Sequence, residues 1–449
     1  MKKQGVKPDL DTYSYLLKSM ARNPRTADAQ AVWEDMLGVG LKPDVGIFNV
    51  MIEICRSRNS SFLWPLIHKM QNLGIEPNAA TYTHIISYFV ASKNIECALK
   101  YLGIMKSKGI EPELKALQMV VEIAAESGNA RLALDLIRDF EGDSVRRLEG
   151  DVWLSCLGAS VNVLWKEGVL ECWNFFVHEL KLNPGEGICM GVLNTAARHG
   201  LPELATDVLE LLNTSNIPWQ EPHFAALIES FCAVGKIKEA LAVLDLIPSS
   251  MGTTTTYLPI LNHVKKDVDT FDATWALMDD LHKERPLTLV SLNIIIQAAV
   301  DLGDLQRAVG AFKSFNEYNV KPDRETFHML LNGTIDAKHK VLGDRILQEM
   351  LDAGIVHDGE TYRLMIELGL TQEVYEDVFM LLEEMKSSGF VPREDSYKGI
   401  VKKCAMNGDP RYGVALEEMA EMGYVVEEEF VKKAKDYYER EKKYSDSVV

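Results

Sequence analysis

The sequence predicts an all-α fold: a right-handed α-solenoid of about twelve 35-residue helix-turn-helix repeats. Three observations predict it. First, a phrase of Gly, branched apolar, any residue, Pro and a polar residue recurs as GVKPD at 5–9, GLKPD at 40–44, GIEPN at 74–78 and GIEPE at 109–113. Second, its prolines keep phase. Pro8, Pro43, Pro77 and Pro112 step by 35, 34 and 35 residues; Pro322 lies 210 further on, six times 35, and Pro392 another 70. Third, each phrase is followed by the same two apolar stripes at helical spacing, separated by a break at a small residue.

Each element of the repeat has a physical warrant. An aromatic follows the phrase (Tyr13, Phe48, Tyr82, Phe327, Tyr362, Tyr397) and opens a stripe such as Tyr82–Ile85–Ile86–Phe89, one face of a first helix. Paired small residues, Gly128/Ala133, Gly200/Ala205, Gly235/Ala240 and Gly303/Ala308, mark a tight turn and close approach of the second helix. The second stripe often ends in Met, as at Met36, Met105, Met350 and Met385. The Gly of the phrase supplies a left-handed helix stop and its Pro prevents continuation. A helix pair of this length cannot bury both faces alone, whereas stacked neighbours can, so one continuous core is expected rather than three domains.

The repeats parse as 10–44, 45–78, 79–113, 114–150, 151–185, 186–220, 221–253, 254–288, 289–323, 324–358, 359–393 and 394–427. Residues 1–9 read as the end of a truncated repeat, 10–140 as well-matched repeats, 141–288 as degenerate ones with an insertion near 141–152, and 289–427 as further repeats. Residues 251–256 (MGTTTT) read as a loop, and 428–449 as a charged amphipathic capping helix with a frayed tail. Because the chain opens on a repeat's closing phrase, a longer natural protein or an internal start Met is expected; no transit peptide is visible.

Composition sets outer bounds. With 47% hydrophobic and 25% charged residues the chain is not disordered, and no run of about 18 apolar residues suits a membrane span. The net charge of -18, from 48 basic and 66 acidic residues, counts against a general polyanion binder but leaves one basic face open. The seven cysteines are widely spaced with no CxxC, and read as reduced core thiols.

The 35-residue step, the T-Y/F-N/S/T opening and the M-x-x-x-G-x-x-P-D ending resemble the pentatricopeptide repeat (PPR) family, as a P-type array without a catalytic tail. Repeats one (LDTYSYLLKSM…AQAVWEDMLGVGLKPD), three and nine match it well. The tetratricopeptide spacing of Trp-Leu-Gly-Tyr and Ala-Phe-Pro is absent. The resemblance implies sequence-selective binding of single-stranded RNA, one base per repeat. It places the fifth residue of each first helix and the repeat's last residue beside one base edge, with a branched apolar second residue wedged between bases.

Carried over residue by residue, this gives Ser14 with Asp44 in repeat one, Asn49 with Asn78 in repeat two and Asn293 with Asp323 in repeat nine. By resemblance these favour guanine, a pyrimidine and uracil. Val290 is the one apolar wedge on pattern. Thr83 fits in repeat three, but its partner Glu113 does not. His328, Arg363 and Lys398 depart from the pattern at the fifth position, as do Met190 and Ala225; Glu325, Glu360 and Asp395 are acidic at the second. Arg22, Arg56 and Arg198 stand where the family meets phosphates. The alternatives are solvated surface charges for these three, and polar helix N-termini satisfying local backbone groups for the pairs.

No chemistry is legible. The C-terminal repeats carry no His-x-Glu with Cys-x-x-Cys, no HExxH and no P-loop, so no enzyme, cofactor or metal site is expected. The resemblance implies a non-catalytic RNA-binding protein of organellar RNA maturation, stability or translation, mitochondrial or alternatively plastid. RNA contacts are expected on 10–113 and near 289–323. The alternative is a helical-repeat scaffold docked on the mitochondrial ribosome or another ribonucleoprotein, a protein partner being expected at 324–449, where His328, Arg363 and Lys398 read as exposed.

Overall fold

The computed structural model describes residues 8–22, 26–56, 62–143, 147–247 and 254–448. Among these the chain is all helical, with 25 α-helices and no strand. It divides into two compact units, Met1–Trp219 and Gln220–Val449.

The first unit holds six helix pairs. These are α1 (Leu10–Arg22) with α2 (Thr26–Gly38), α3 (Val45–Arg56) with α4 (Leu63–Asn72), and α5 (Ala79–Ala91) with α6 (Ile95–Ser107). Then come α7 (Leu114–Glu126) with α8 (Ala130–Asp143), α9 (Gly150–Asn162) with α10 (Lys166–Trp173), and α11 (Glu186–His199) with α12 (Pro202–Thr214). A π-helical turn over Asn174–Glu179 prolongs α10.

The second unit holds six more. They are α13 (Glu221–Ala233) with α14 (Ile237–Asp245), α15 (Thr254–Val264) with α16 (Val268–Glu284), and α17 (Leu289–Asp301) with α18 (Leu305–Glu317). They continue with α19 (Arg324–Asp336) and α20 (Lys340–Asp352), α21 (Gly359–Leu370) and α22 (Asp377–Ser387), and α23 (Glu394–Met406) and α24 (Arg411–Glu421). A single helix, α25 (Glu428–Val448), follows and packs on α23.

Within each unit the odd-numbered helices pack on one another in sequence, α1 through α11 and α13 through α25, while each even-numbered helix lies against its own partner. The aromatics that open the first helices are all buried, as are Met36, Met105, Met350 and Met385 near the ends of the second. Ala133, Ala205, Ala240 and Ala308 have no exposed surface, which lets the paired helices approach. Gly74 and Gly109, in the connectors flanking α5 and α6, have φ of +68° and +69°, a conformation that an added Cβ disfavours. Six cysteines are buried and Cys97 is half-buried; the Cys156 and Cys172 sulfurs lie 3.6 Å apart.

Two local expectations need revision. Thr254–Thr256 do not form a loop: they are the first turn of α15, and the Thr256 hydroxyl donates to Glu221 Oε1 at 2.8 Å. The first helix of the fifth repeat starts at Gly150, one residue before the expected 151. Residues 251–253 of that loop, 144–146 of the expected insertion, 1–7 of the expected truncated repeat and the terminal 449 lie outside the described residues.

Neighbouring repeats are also tied by ion pairs about one repeat apart. Arg307 bridges to Asp272 at 3.0 Å, Lys340 to Asp377 at 2.6 Å, Arg411 to Glu376 at 2.7 Å and Lys265 to Asp301 at 2.9 Å. Arg138 with Glu171 and Lys386 with Glu418 do the same. Such exposed pairs are worth little singly. Their consequence is that many of the cations are held by carboxylates of the same chain.

Stability in such a stack is local. Phe327 is 1% exposed and meets Phe312 edge-on at 5.4 Å. Phe327→Ala is expected to remove about 3–5 kcal/mol. Hydrogen exchange is expected to lose protection across α17 to α20 while α1 to α6 keep theirs.

Candidate nucleic-acid interface

The last residue of a repeat is also the N-cap of the next first helix. Asn78 before α5, Asp323 before α19 and Asp358 before α21 have extended backbones, and each accepts the N–H of the helix's third residue at 2.9 Å. That residue is a threonine each time, Thr81, Thr326 and Thr361, and its hydroxyl oxygen accepts the backbone N–H of the cap residue in return. Because first helices lie side by side, the cap also meets the fifth residue of the preceding first helix.

Three clusters of one design result. In the first unit Asn49 Oδ1 receives the Thr81 hydroxyl at 2.7 Å, and Asn49 Nδ2 points at Asn78 Oδ1 at 3.4 Å. In the second, Asn293 Oδ1 receives the Thr326 hydroxyl at 2.7 Å and Asn293 Nδ2 faces Asp323 Oδ1 at 3.4 Å. One repeat on, His328 Nε2 lies 2.9 Å from the Thr361 hydroxyl and 3.5 Å from Asp358 Oδ1. Asn293 is 7% exposed, so the cluster is a packed feature of the fold before any ligand arrives.

The clusters differ in the atom left open. Among the described residues, Asn78 Nδ2 has no partner and is a free donor. Asp323 Oδ2 has none either and is a free acceptor. Asp358 Oδ2 is covered by Arg324 at 3.2 Å. Asn49 and Asn293 each keep one further N–H on Nδ2.

The remaining expected residues are less organised. No hydrogen bond joins Ser14 to Asp44; Asp44 instead caps the N–H of Ile47 at 2.8 Å. Thr83 is buried and gives its hydroxyl to Ala79 O at 3.0 Å, and Glu113 makes no side-chain cap. Val290 is 42% exposed beside the Asn293 cluster, on the same helix. Arg22, Arg56 and Arg198 lie exposed in the last turns of α1, α3 and α11, where a cation suits the helix dipole. Arg56 also donates to Ser87 Oγ of the next repeat at 3.0 Å, while Arg22 and Arg198 make no ion pair among the described residues.

The reading of His328, Arg363 and Lys398 as exposed is corrected. All three are partly buried and engaged: Arg363 with Glu360 at 2.7 Å and Glu367 at 2.5 Å, and Lys398 with Glu394 at 2.6 Å. Arg393 reaches Glu360 as well, at 3.3 Å. In repeat eleven the acidic second position, Glu360, thus pairs with the basic fifth, Arg363. The threonines were visible in the T-Y/F opening, but their reach into the preceding repeat was not. Among the described residues no group of three or more His, Cys, Asp or Glu is placed to hold a metal ion, and no helix is long and apolar enough to cross a membrane.

Burial holds the His328 imidazole below its ordinary pKa, against the opposing pull of Asp358 and Glu360. Burial does the same to His84, His263 and His357. Burial alone would raise the Asp358 carboxyl; the Thr361 N–H and hydroxyl, with His328 and Arg324, hold it below the usual range. A histidine depressed on folding is charged first in the unfolded chain. Its share of stability is therefore present above about pH 6.5 and is lost as the pH falls through the folded value. Denaturation midpoints are expected to fall between about pH 7 and pH 5, and His328→Asn, which keeps an acceptor for Thr361, is expected to flatten that fall.

Two family models match the chain. A model of the pentatricopeptide repeat domain matches residues 1–58, 65–123 and 345–407, and a model described as pentatricopeptide repeat-containing protein matches 186–315. An Arabidopsis thaliana pentatricopeptide repeat-containing protein named as mitochondrial is 18% identical over 451 residues, covering 92% of this chain and 71% of its own. Another from the same plant, also named as mitochondrial, is 25% identical over 138 residues, covering 30% of this chain and 11% of its own. Among solved structures, the pentatricopeptide repeat protein PPR10 in complex with an 18-nt psaJ RNA element is 14% identical, with a TM-score of 0.32 over 97% of this chain and 83% of that one.

Proposed function

Since the chain belongs to the pentatricopeptide repeat family, we propose that it binds single-stranded RNA through the clusters of repeats two and nine, without catalysis, in organellar RNA maturation, stability or translation. The observation that carries the reading is the open atom of each cluster. A reader must keep hydrogen-bonding capacity after its own scaffold is satisfied, and Asn49–Asn78 and Asn293–Asp323 both do.

The open atoms favour different bases. At repeat nine a carboxylate oxygen stands beside an amide N–H. A carboxylate accepts only, so it favours a base with a ring N–H, uracil or guanine, and disfavours cytosine, whose N3 is itself an acceptor. Uracil is the reading that the family resemblance prefers. At repeat two both open groups are amide donors, which favour the adjacent O2 and N3 acceptors of cytosine or the carbonyls of uracil. Val290, exposed beside Asn293, suits contact with a base face. Arg22, Arg56 and Arg198 are the phosphate ligands of the proposal, few enough for a shallow salt dependence. Ser14 with Asp44, and Thr83, are weaker contacts in it.

A protein-scaffold role has one observation in its favour, confined to the C-terminal repeats. There the fifth positions are engaged within the chain, and Glu325 and Asp395 add negative charge at second positions. Residues 324–449 therefore suit a protein partner better than RNA, and a mitochondrial ribonucleoprotein is the setting proposed. The names of the two relatives support an organellar location, for which a mitochondrial one is proposed.

Asn293→Ala tests the reading. It is expected to weaken binding of a selected single-stranded RNA by about 1–3 kcal/mol and to relax preference at one nucleotide. Unchanged affinity with unchanged preference, for a variant whose melting still follows the wild type, would remove repeat nine from the interface.

A further inference from the structure

We propose that the base-reading unit is built from three residues of two repeats, and that Thr326, with Thr81 as its counterpart, is a specificity-determining positioning residue. This rests on the reading of repeats two and nine as base contacts.

An asparagine amide is nearly symmetric in shape, and its terminal torsion is broad and roughly two-fold. Turned over, it presents a carbonyl where it had presented an N–H, and so the opposite base preference. A reader that uses Asn293 Nδ2 must therefore fix the amide. Asp323 Oδ1 already accepts the Thr326 N–H at 2.9 Å and faces Asn293 Nδ2 at 3.4 Å. The Thr326 hydroxyl has one hydrogen, and its oxygen receives the Asp323 N–H at 3.2 Å. The hydroxyl stands 2.7 Å from both Asn293 Oδ1 and Asp323 Oδ1. Because Asp323 Oδ1 already receives two N–H groups, the single hydrogen is best used by Asn293 Oδ1, which has no other donor among the described residues. That bond binds the carbonyl end inward and leaves the second Nδ2 hydrogen for a ligand. Thr81 holds Asn49 the same way, at the same 2.7 Å.

Repeat one illustrates the lack of the third residue. Its pair is on pattern, but the equivalent position is Ile47, fully buried and without a hydroxyl, and no bond joins Ser14 to Asp44. In repeat ten the threonine is present as Thr361, yet Arg324 covers the open carboxylate oxygen. Repeats two and nine combine a held amide with an open cap.

The test uses the full chain and a wild-type-selected single-stranded RNA, varied to all four bases at each position. Asn293→Ala locates the nucleotide read by repeat nine. Thr326→Val, which keeps the shape and the backbone N–H that Asp323 caps, is expected to collapse a preference of about tenfold at that same nucleotide to about twofold. Thr326→Ser, which restores the hydroxyl, is expected to keep it. Preference retained in Thr326→Val, preference lost equally in Thr326→Ser, or affinity lost equally for all four bases would each overturn the proposal while Asn293→Ala still upholds the reading. If Asn293→Ala changes nothing either, the reading of repeat nine falls, and the proposal with it.

Discussion

The candidate site hangs on one shared residue, the polar residue that closes a repeat and caps the next. At Asn78, Asp323 and Asp358 it closes one repeat, caps the first helix of the next and ties that helix to the first helix before it. A helix N-terminus leaves its first amides without partners, so some acceptor must stand there. Placing that acceptor beside the preceding first helix turns a local requirement into a repeated inter-repeat contact. The same geometry brings the fifth residue of one helix against the cap of the next, so the proposed reading site arises from what the helix start already demands.

Charge follows a related logic. A chain with net charge -18 has little cationic surface to spare. Arg307, Lys340 and Arg411 are spent on neighbouring carboxylates, and Arg363 on Glu360 and Glu367. What remains for a ligand in repeats two and nine is a small number of directional hydrogen-bonding groups rather than a broad positive field. In the proposed interface, recognition by such groups depends on their orientation, which makes the residues that hold them as consequential as those proposed to touch the base.

The helical stack was legible from the step of the prolines and from stripes such as Tyr82–Ile85–Ile86–Phe89, because periodicity survives where individual phrases decay. The pairs Asn49–Asn78 and Asn293–Asp323 were legible as well, through their place in the phrase. The part played by Thr81 and Thr326 was not, since it acts on a residue 32 or 33 positions earlier and is visible only when the first helices are side by side. Nor was the quenching of Arg363, because a single sequence does not tell an exposed arginine from one folded back onto its own helix. Thr254–Thr256 misled for the opposite reason: a polar, β-branched run reads as loop, whereas it opens α15 and its Thr256 hydroxyl is held by the Glu221 carboxylate.

Photocrosslinking is the most direct measurement of the central claim. The purified full chain would be bound to its selected single-stranded RNA carrying 4-thiouridine at successive positions, and the attached peptides mapped. Crosslinks concentrated on the first helices around Asn49 and Asn293, with Val290 among the attached residues and little signal over 324–449, are the predicted result. Crosslinks confined to second helices, or centred on His328, Arg363 and Lys398, would contradict it.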